Sequence, residues 1–221
     1  MKSRKKQIKK ISYSQCGEDL IVDFIMKAVK VKNISYLDIG TYDPIFINNT
    51  YLFYEKGFRG VCVEPNRKLY EAITRKRPED TVLNAGISSE SGEIDYYVMG
   101  SDTLNTFNRE EAFRLEKEGV KIKDTLHVPC LNVNDVIKDN FNKCPAFISI
   151  DTEGLELPIL KDFDFELYRP VVFCIETVSY SRNKKKQFKE TETIDFLISK
   201  GYSVHADTYV NTIFIDKSRW A

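Results

Sequence analysis

The sequence predicts an α/β domain: a largely parallel sheet with helices on both faces. Three observations predict it. Short apolar runs at 34–39, 60–63, 146–150 and 171–175 alternate with longer stretches of helical periodicity, the pattern of buried parallel strands. Each run ends in or next to a carboxylate, in turn Asp38, Glu64, Asp151 and Glu176. Residues 202–206 and 212–216 alternate apolar and polar positions, which predicts a closing β-hairpin with one antiparallel strand.

A chain of 221 residues suits one such domain, here 13–221, behind a basic leader at 1–12 that carries Lys2, Arg4, Lys5, Lys6, Lys9 and Lys10. That leader lacks the apolar core of a signal peptide. Thirty-three basic residues balance thirty-three acidic ones, which speaks against a dedicated nucleic-acid binder. The five cysteines form no CxxC pair, so neither a disulfide framework nor a zinc site is expected, and a cytoplasmic location fits. No apolar run reaches the ~18 residues of a membrane span.

Taken in order, YSQCGED at 13–19 leads into a helix, with Leu20, Ile21, Phe24, Ile25 and Ala28 assigned to its apolar face. The first strand breaks at YLDIGTYDP (36–44), and Asn49 and Thr50 open a short helix that stops at Gly57. A strand at 60–64 and a helix at 66–76 follow, the helix ending ahead of Pro78. Residues 81–85 read as a third strand, and 93–98 and 125–128 as edge segments. Residues 101–124 read as an insertion or flap with a charged helix at 110–118. Asn132 caps a helix through Phe141, a helix starts at 155–160 after the fourth strand, and another runs from 190 to 200. Residues 181–189, SRNKKKQFK, form a basic loop.

Four acids at strand ends point to a ligand cleft, because strand ends line the crevice of an open α/β sheet. The plainer alternative is a set of helix caps and turns. Asp38–Gly40, followed by a helix start, offers free N–H groups, and Glu64 stands about 20 residues on, where an acid holds ribose hydroxyls. The turn GTYDP holds one glycine and is not GxGxxG, which weakens a pyrophosphate site. A sulfonium ligand carrying ribose and adenine suits an acid-lined pocket better.

The pieces SQCGED (14–19), YLDIGTYDPIFINNT (36–50), LFYEKGFRGVCVEP (52–65), RPED (77–80), NAGIS (84–88), NTF (105–107), FISIDTEGLELPIL (147–160), RPVVFCIE (169–176) and NTIFI (211–215) resemble the FkbM family of S-adenosylmethionine-dependent methyltransferases. The family more often carries a small residue at the place of Thr41, and serine at the places of Asn49 and Asn105. The resemblance implies the class I methyltransferase fold, a Rossmann-like seven-stranded sheet. It implies that Asp38 and Gly40 line the methionine end of the cofactor, with Asn49 and Thr50 on its carboxylate. Glu64 would take the ribose beside Pro65, and Asn84, Ala85 and Ser88 would edge the adenine. Asp151, Glu153 and Glu176 would face the reaction.

The reaction then expected is in-line transfer of a methyl group to a hydroxyl, for which the protein supplies alignment and a base. Asp151 and Glu153 are the candidates, either as base or as ligands of Mg²⁺; His127 and His205 are the only histidines. The acceptor expected is a sugar, nucleotide sugar or glycan, met by Tyr42, Tyr180 and Tyr209 and by Arg182, Lys184, Lys185 and Lys186. Two rivals are a nicotinamide-dependent oxidoreductase and a non-catalytic protein that kept the fold.

Overall fold

The structure is a computed structural model that describes residues 10–88, 92–101, 104–152, 154–179 and 187–220. Its elements run α1 (Glu18–Ala28), β1 (Tyr36–Ile39), α2 (Tyr51–Glu55), β2 (Gly60–Val63), α3 (Arg67–Lys76), β3 (Thr81–Leu83), β4 (Gly86–Ile87), β5 (Gly92–Met99), α4 (Arg109–Lys117) and β6 (Ile122–Leu131). They continue with α5 (Val133–Asn140), β7 (Phe147–Ile150), α6 (Glu156–Asp162), β8 (Val172–Glu176), β9 (Val178–Ser179), β10 (Phe188–Lys189), α7 (Thr191–Ser199), β11 (Tyr202–Asp207), β12 (Asn211–Asp216) and α8 (Lys217–Trp220).

The main sheet has seven strands in the order β11-β12-β8-β7-β1-β2-β3, and only β12 runs against its neighbours. This is the class I methyltransferase arrangement. The strand order reverses at β1 and β7, where an open α/β sheet forms its crevice. Ile39 pairs in register with Val63 and Ile150, Val63 with Leu83, and Ile150 with Ile175. The next residue along each strand is therefore Asn84, Glu64, Gly40, Asp151 and Glu176. Five tips lie in one row across the sheet.

Side-chain alternation divides the core. Leu37 and Ile39 face α5, α6 and α7 with Ile148, Ile150 and Phe173. Tyr36 faces α1 and α2 with Phe147, Val172 and Ile213. Asp38 alternates onto this second face, one row behind the tips.

Three expectations are corrected here. The buried face of α1 is Val22, Ile25 and Met26, at i, i+3 and i+4, while Phe24 is 57% exposed. Apolar residues surround that helix in sequence, so periodicity alone could not select the face. The segments read as edges do not extend the main sheet: β5 and β6 pair antiparallel with each other, β4 joins β6, and α4 packs on them. Residues 101–124 thus belong to a larger unit that spans β4 to β6. Ser12, read as leader, donates to Asp19 at 2.6 Å. Among the described residues no helix is long and apolar enough to cross a membrane.

Candidate active site

The row of strand tips opens into a cavity of about 470 Å³. Its floor is Gly40, Glu64, Asp151 and Glu176. One end, beyond β2 and β3, is apolar: Pro65, Leu69, Ala85, Ile87, Leu104 and Phe107. The other, beyond β7 and β8, holds Thr152, Val178, Gln187, Tyr209 and Val210. Among the described residues its wall contains three acids and no Lys, Arg or His.

Gly40 is dictated by its neighbour. Its φ is 79°, and a Cβ there would lie 1.7 Å from the carbonyl oxygen of Asp151. Only glycine lets β1 turn this close to β7. Tyr42 (φ 59°), Ile47 (φ 52°) and Tyr209 (φ 76°) hold left-handed backbone without being glycine, and all three line the cavity. Such strain concentrates where surrounding structure enforces a functional shape.

Glu64 is 3% exposed; its two oxygens accept the N–H groups of Tyr42 and Asn66, both at 2.8 Å. Burial nevertheless pushes its carboxyl up to about 7, with repulsion from Asp38 and Asp151 adding to it. Asp151 is raised too, by burial and then by the Glu156 charge, against a hydrogen bond shared with Glu176.

Glu156 was not singled out in the sequence, yet it shapes this floor. Its carboxylate accepts Thr152 N (2.7 Å), Thr152 Oγ1 (2.8 Å) and Gly154 N (3.0 Å), which folds the chain after Asp151 back onto α6. Asn48 is a second such residue. Its Oδ1 accepts Thr50 N at 3.0 Å and Tyr51 N at 2.7 Å, and its Nδ2 donates to the carbonyls of Thr41 and Asp43. The N-segment is pinned across the far side by Glu18, which accepts Thr208 Oγ1 at 2.6 Å and Asn211 Nδ2 at 3.2 Å. Burial alone would raise Glu18, but these bonds and the Cys16 N–H hold it below the usual carboxylate range. Gln15 is thereby placed at the cavity.

Of the residues proposed from sequence, Gly40, Glu64, Pro65, Ala85, Asp151 and Glu176 line the cavity. Asp38, Asn49, Thr50, Asn84 and Ser88 do not. Asp38 accepts Thr50 Oγ1 at 2.7 Å, and Arg77, wholly buried, donates to Thr50 Oγ1 at 3.0 Å, to Asn48 Oδ1 at 3.3 Å and to Asp80 at 2.8 Å. Tyr36 Oη and the Gly60 N–H complete Asp80. Asp38 and Thr50 thus belong to a closed polar network beneath the cavity. At the start of α2, the N–H groups of Thr50 and Tyr51 already meet Asn48. Asn49 donates to Ser149 Oγ at 3.1 Å. Asn84 donates to the carbonyls of Glu64 and Pro65, and so clamps the loop that carries them. Ser88 N pairs with Leu131 O. Glu153, Tyr180, Arg182 and Lys184–Lys186 lie outside the described residues. Among the described residues no three His, Cys, Asp or Glu side chains converge as a metal site, so the Mg²⁺ expectation finds no support there. His127 is exposed on β6 beside Asp95, and His205 sits against Trp220; neither lines the cavity.

The sequence profile described as the methyltransferase FkbM domain matches residues 38–204, from β1 into β11. The chain belongs to the FkbM methyltransferase family. That membership sets aside the nicotinamide oxidoreductase. No curated protein sequence matches. Among solved structures, the O-methyltransferase from Bacillus cereus in complex with SAH shares 13% identity over 92% of this chain and 81% of its own, with a TM-score of 0.46. The TehB-like SAM-dependent methyltransferase from Corynebacterium glutamicum shares 8% over 91% and 88%, TM-score 0.44. Magnesium protoporphyrin IX methyltransferase from Synechocystis PCC 6803 shares 10% over 89% and 76%, TM-score 0.45. With identities this low and scores below 0.5, these likenesses carry no argument about substrate.

Proposed function

We propose that this FkbM methyltransferase takes S-adenosylmethionine and methylates a hydroxyl of a sugar, nucleotide sugar or glycan. The observation that carries the O-methyl reading is the Asp151–Glu176 carboxyl pair on the floor of a cavity whose described wall residues include no Lys, Arg or His. The wall also suits the cofactor. Acids accept a cationic sulfonium and reject a polyphosphate, and the apolar end matches a nucleobase. When bound, the cofactor supplies an electrophilic methyl group.

Glu64 has a second lone pair on each oxygen after meeting Tyr42 N and Asn66 N, and these accept the ribose hydroxyls. Pro65 and Ala85 border the base. Gly40 lets the backbone approach the methionine portion. Asp38, Asn49, Thr50, Asn84 and Ser88 act behind the wall and hold its loops. Asp151 takes the acceptor's proton, and Glu176 orients it and shares the charge. A carboxyl raised by burial is a stronger base than an ordinary one, which suits a weakly acidic hydroxyl. Tyr209, 59% exposed at the mouth, offers a flat face to a sugar ring.

Incubation with S-adenosylmethionine and a panel of sugars, nucleotide sugars and glycan extracts, read by mass spectrometry, tests this. A one-methyl mass gain on a carbohydrate oxygen is expected. Methylation of a nitrogen or carbon acceptor instead would refute the hydroxyl assignment.

A further inference from the structure

The β4–β6 unit contributes one buried side-chain N–H group that no described residue accepts. Asn105 lines the cavity and is 7% exposed. Its Oδ1 accepts the Met99 N–H at 2.8 Å. An N–H can be met only by the amide oxygen, so the carboxamide orientation is fixed. Its Nδ2 is buried and has no partner among the described residues. Buried N–H groups without partners are rare, and one at a cavity wall calls for a ligand atom.

Its position says which part of the ligand. Phe107, two residues on, packs against Gly86, where a Cβ would meet its ring at 2.4 Å. Asn105 therefore enters the cavity wall beside the apolar end beyond β3, on a segment whose Asn108 goes on to reach Gly154 in the turn after Asp151. A ligand held by its ribose at Glu64 extends its base into this end. Adenine offers three ring nitrogens as acceptors, and an amide N–H₂ is their complement.

The geometry points to Asn105 as the nucleobase-reading residue: its Nδ2 donates to a ring nitrogen of the cofactor's adenine. This rests on the S-adenosylmethionine reading above. It gives the β4–β6 unit a role in cofactor selection besides covering the site.

The experiment is calorimetric titration of wild type and Asn105→Ala with S-adenosylhomocysteine and its 1-, 3- and 7-deaza analogues, each of which replaces one ring nitrogen by C–H. On the wild type one analogue should bind about tenfold more weakly, the effect of one buried hydrogen bond. On Asn105→Ala that analogue and the parent should bind alike. Asn105→Leu, which keeps asparagine's branching without its polar atoms, supplies the same comparison should the alanine variant not fold. If the parent binds and all three analogues match it on the wild type, the Asn105 assignment falls alone. It also falls if the penalty persists in the variant, or if the variant changes only the acceptor KM. If the parent itself does not bind, the cofactor reading falls and takes this one with it.

Discussion

Two groups of acids lie within the same sheet and have opposite surroundings. Asp38 and Asp80 sit behind the strand tips with Arg77, whose guanidinium reaches Asp80 at 2.8 Å and Asp38 at 3.9 Å, and every neighbour in that network is a protein group. Glu64, Asp151 and Glu176 sit at the tips, face a cavity, and have no cation in the wall among the described residues. Burial raises Asp38 in the first group and Glu64 and Asp151 in the second. In the first group a buried guanidinium and hydrogen bonds from Thr50 and Asn48 work against the cost of desolvation. In the second, Glu64 has two backbone N–H bonds, and no described residue of the cavity wall supplies a counter-charge. An acid kept buried without a counter-charge is kept for a ligand or a proton. One pleat of a strand, the step from Asp38 to Gly40, separates the two roles.

The largest effect should come from the tips. Asp151→Asn should lower turnover roughly 10²–10⁴-fold, the usual worth of a positioned base, while S-adenosylhomocysteine affinity stays within a few-fold. Steady-state rates and calorimetry on the same preparation check it; near-wild-type turnover would remove Asp151 from the chemistry. Its protonation also sets the pH profile. The base must be ionised, so kcat should rise with pH through a range above that of an ordinary carboxylate.

Arg77→Leu should act the other way round. It strands buried Asp38 and Asp80 without a counter-charge and should cost about 3–5 kcal/mol of stability by urea unfolding. Activity per folded molecule should survive at low temperature. Equal loss of activity and stability would merge the two groups.

Glu64→Gln should weaken S-adenosylhomocysteine binding by about 1.5–3 kcal/mol, the worth of hydrogen bonds to a charged acceptor. Its effect on folding is of opposite kind. A carboxyl raised to about 7 when folded gives stability that is complete below its unfolded value and is lost as pH rises through the folded one. The melting temperature of the unliganded wild type should therefore fall between about pH 5 and pH 8, and that fall should be shallower in Glu64→Gln. Parallel slopes would mean that Glu64 ionises normally.

The smallest effect should be at His127, exposed on β6. Its pairing with exposed Asp95 is worth at most about 1 kcal/mol. His127→Ala should leave turnover and stability near wild type, and a large loss of rate would move the chemistry onto the small sheet.

The sheet and its acidic tips were legible because short apolar runs and their terminal carboxylates are local signals. Glu64 and Asp151 could be read as tips, since each follows the last apolar residue of its strand. Asp38 could not be separated from them, because which face a side chain takes depends on register. Arg77 appeared only within RPED, where nothing local tells a buried guanidinium from a surface one. Asn48 and Asn49 are neighbours of the same type, and only the fold shows that the first takes the Thr50 and Tyr51 N–H groups ahead of a ligand. Glu156 reads as an ordinary first-turn acid. Asn105 became visible once β5 placed the Met99 N–H against its oxygen and left its nitrogen without a partner among the described residues.

The central claim is that the buried acids at the strand tips form an S-adenosylmethionine pocket. The most direct test is a thermal shift of the wild type and Glu64→Gln against S-adenosylhomocysteine. A ligand that binds only the folded state stabilises it by about 2.7 kcal/mol at one hundred times its dissociation constant. The account predicts a clear rise in melting temperature for the wild type and a smaller one at equal ligand for Glu64→Gln. No shift in the wild type at millimolar ligand, or the same shift in both proteins, would contradict it.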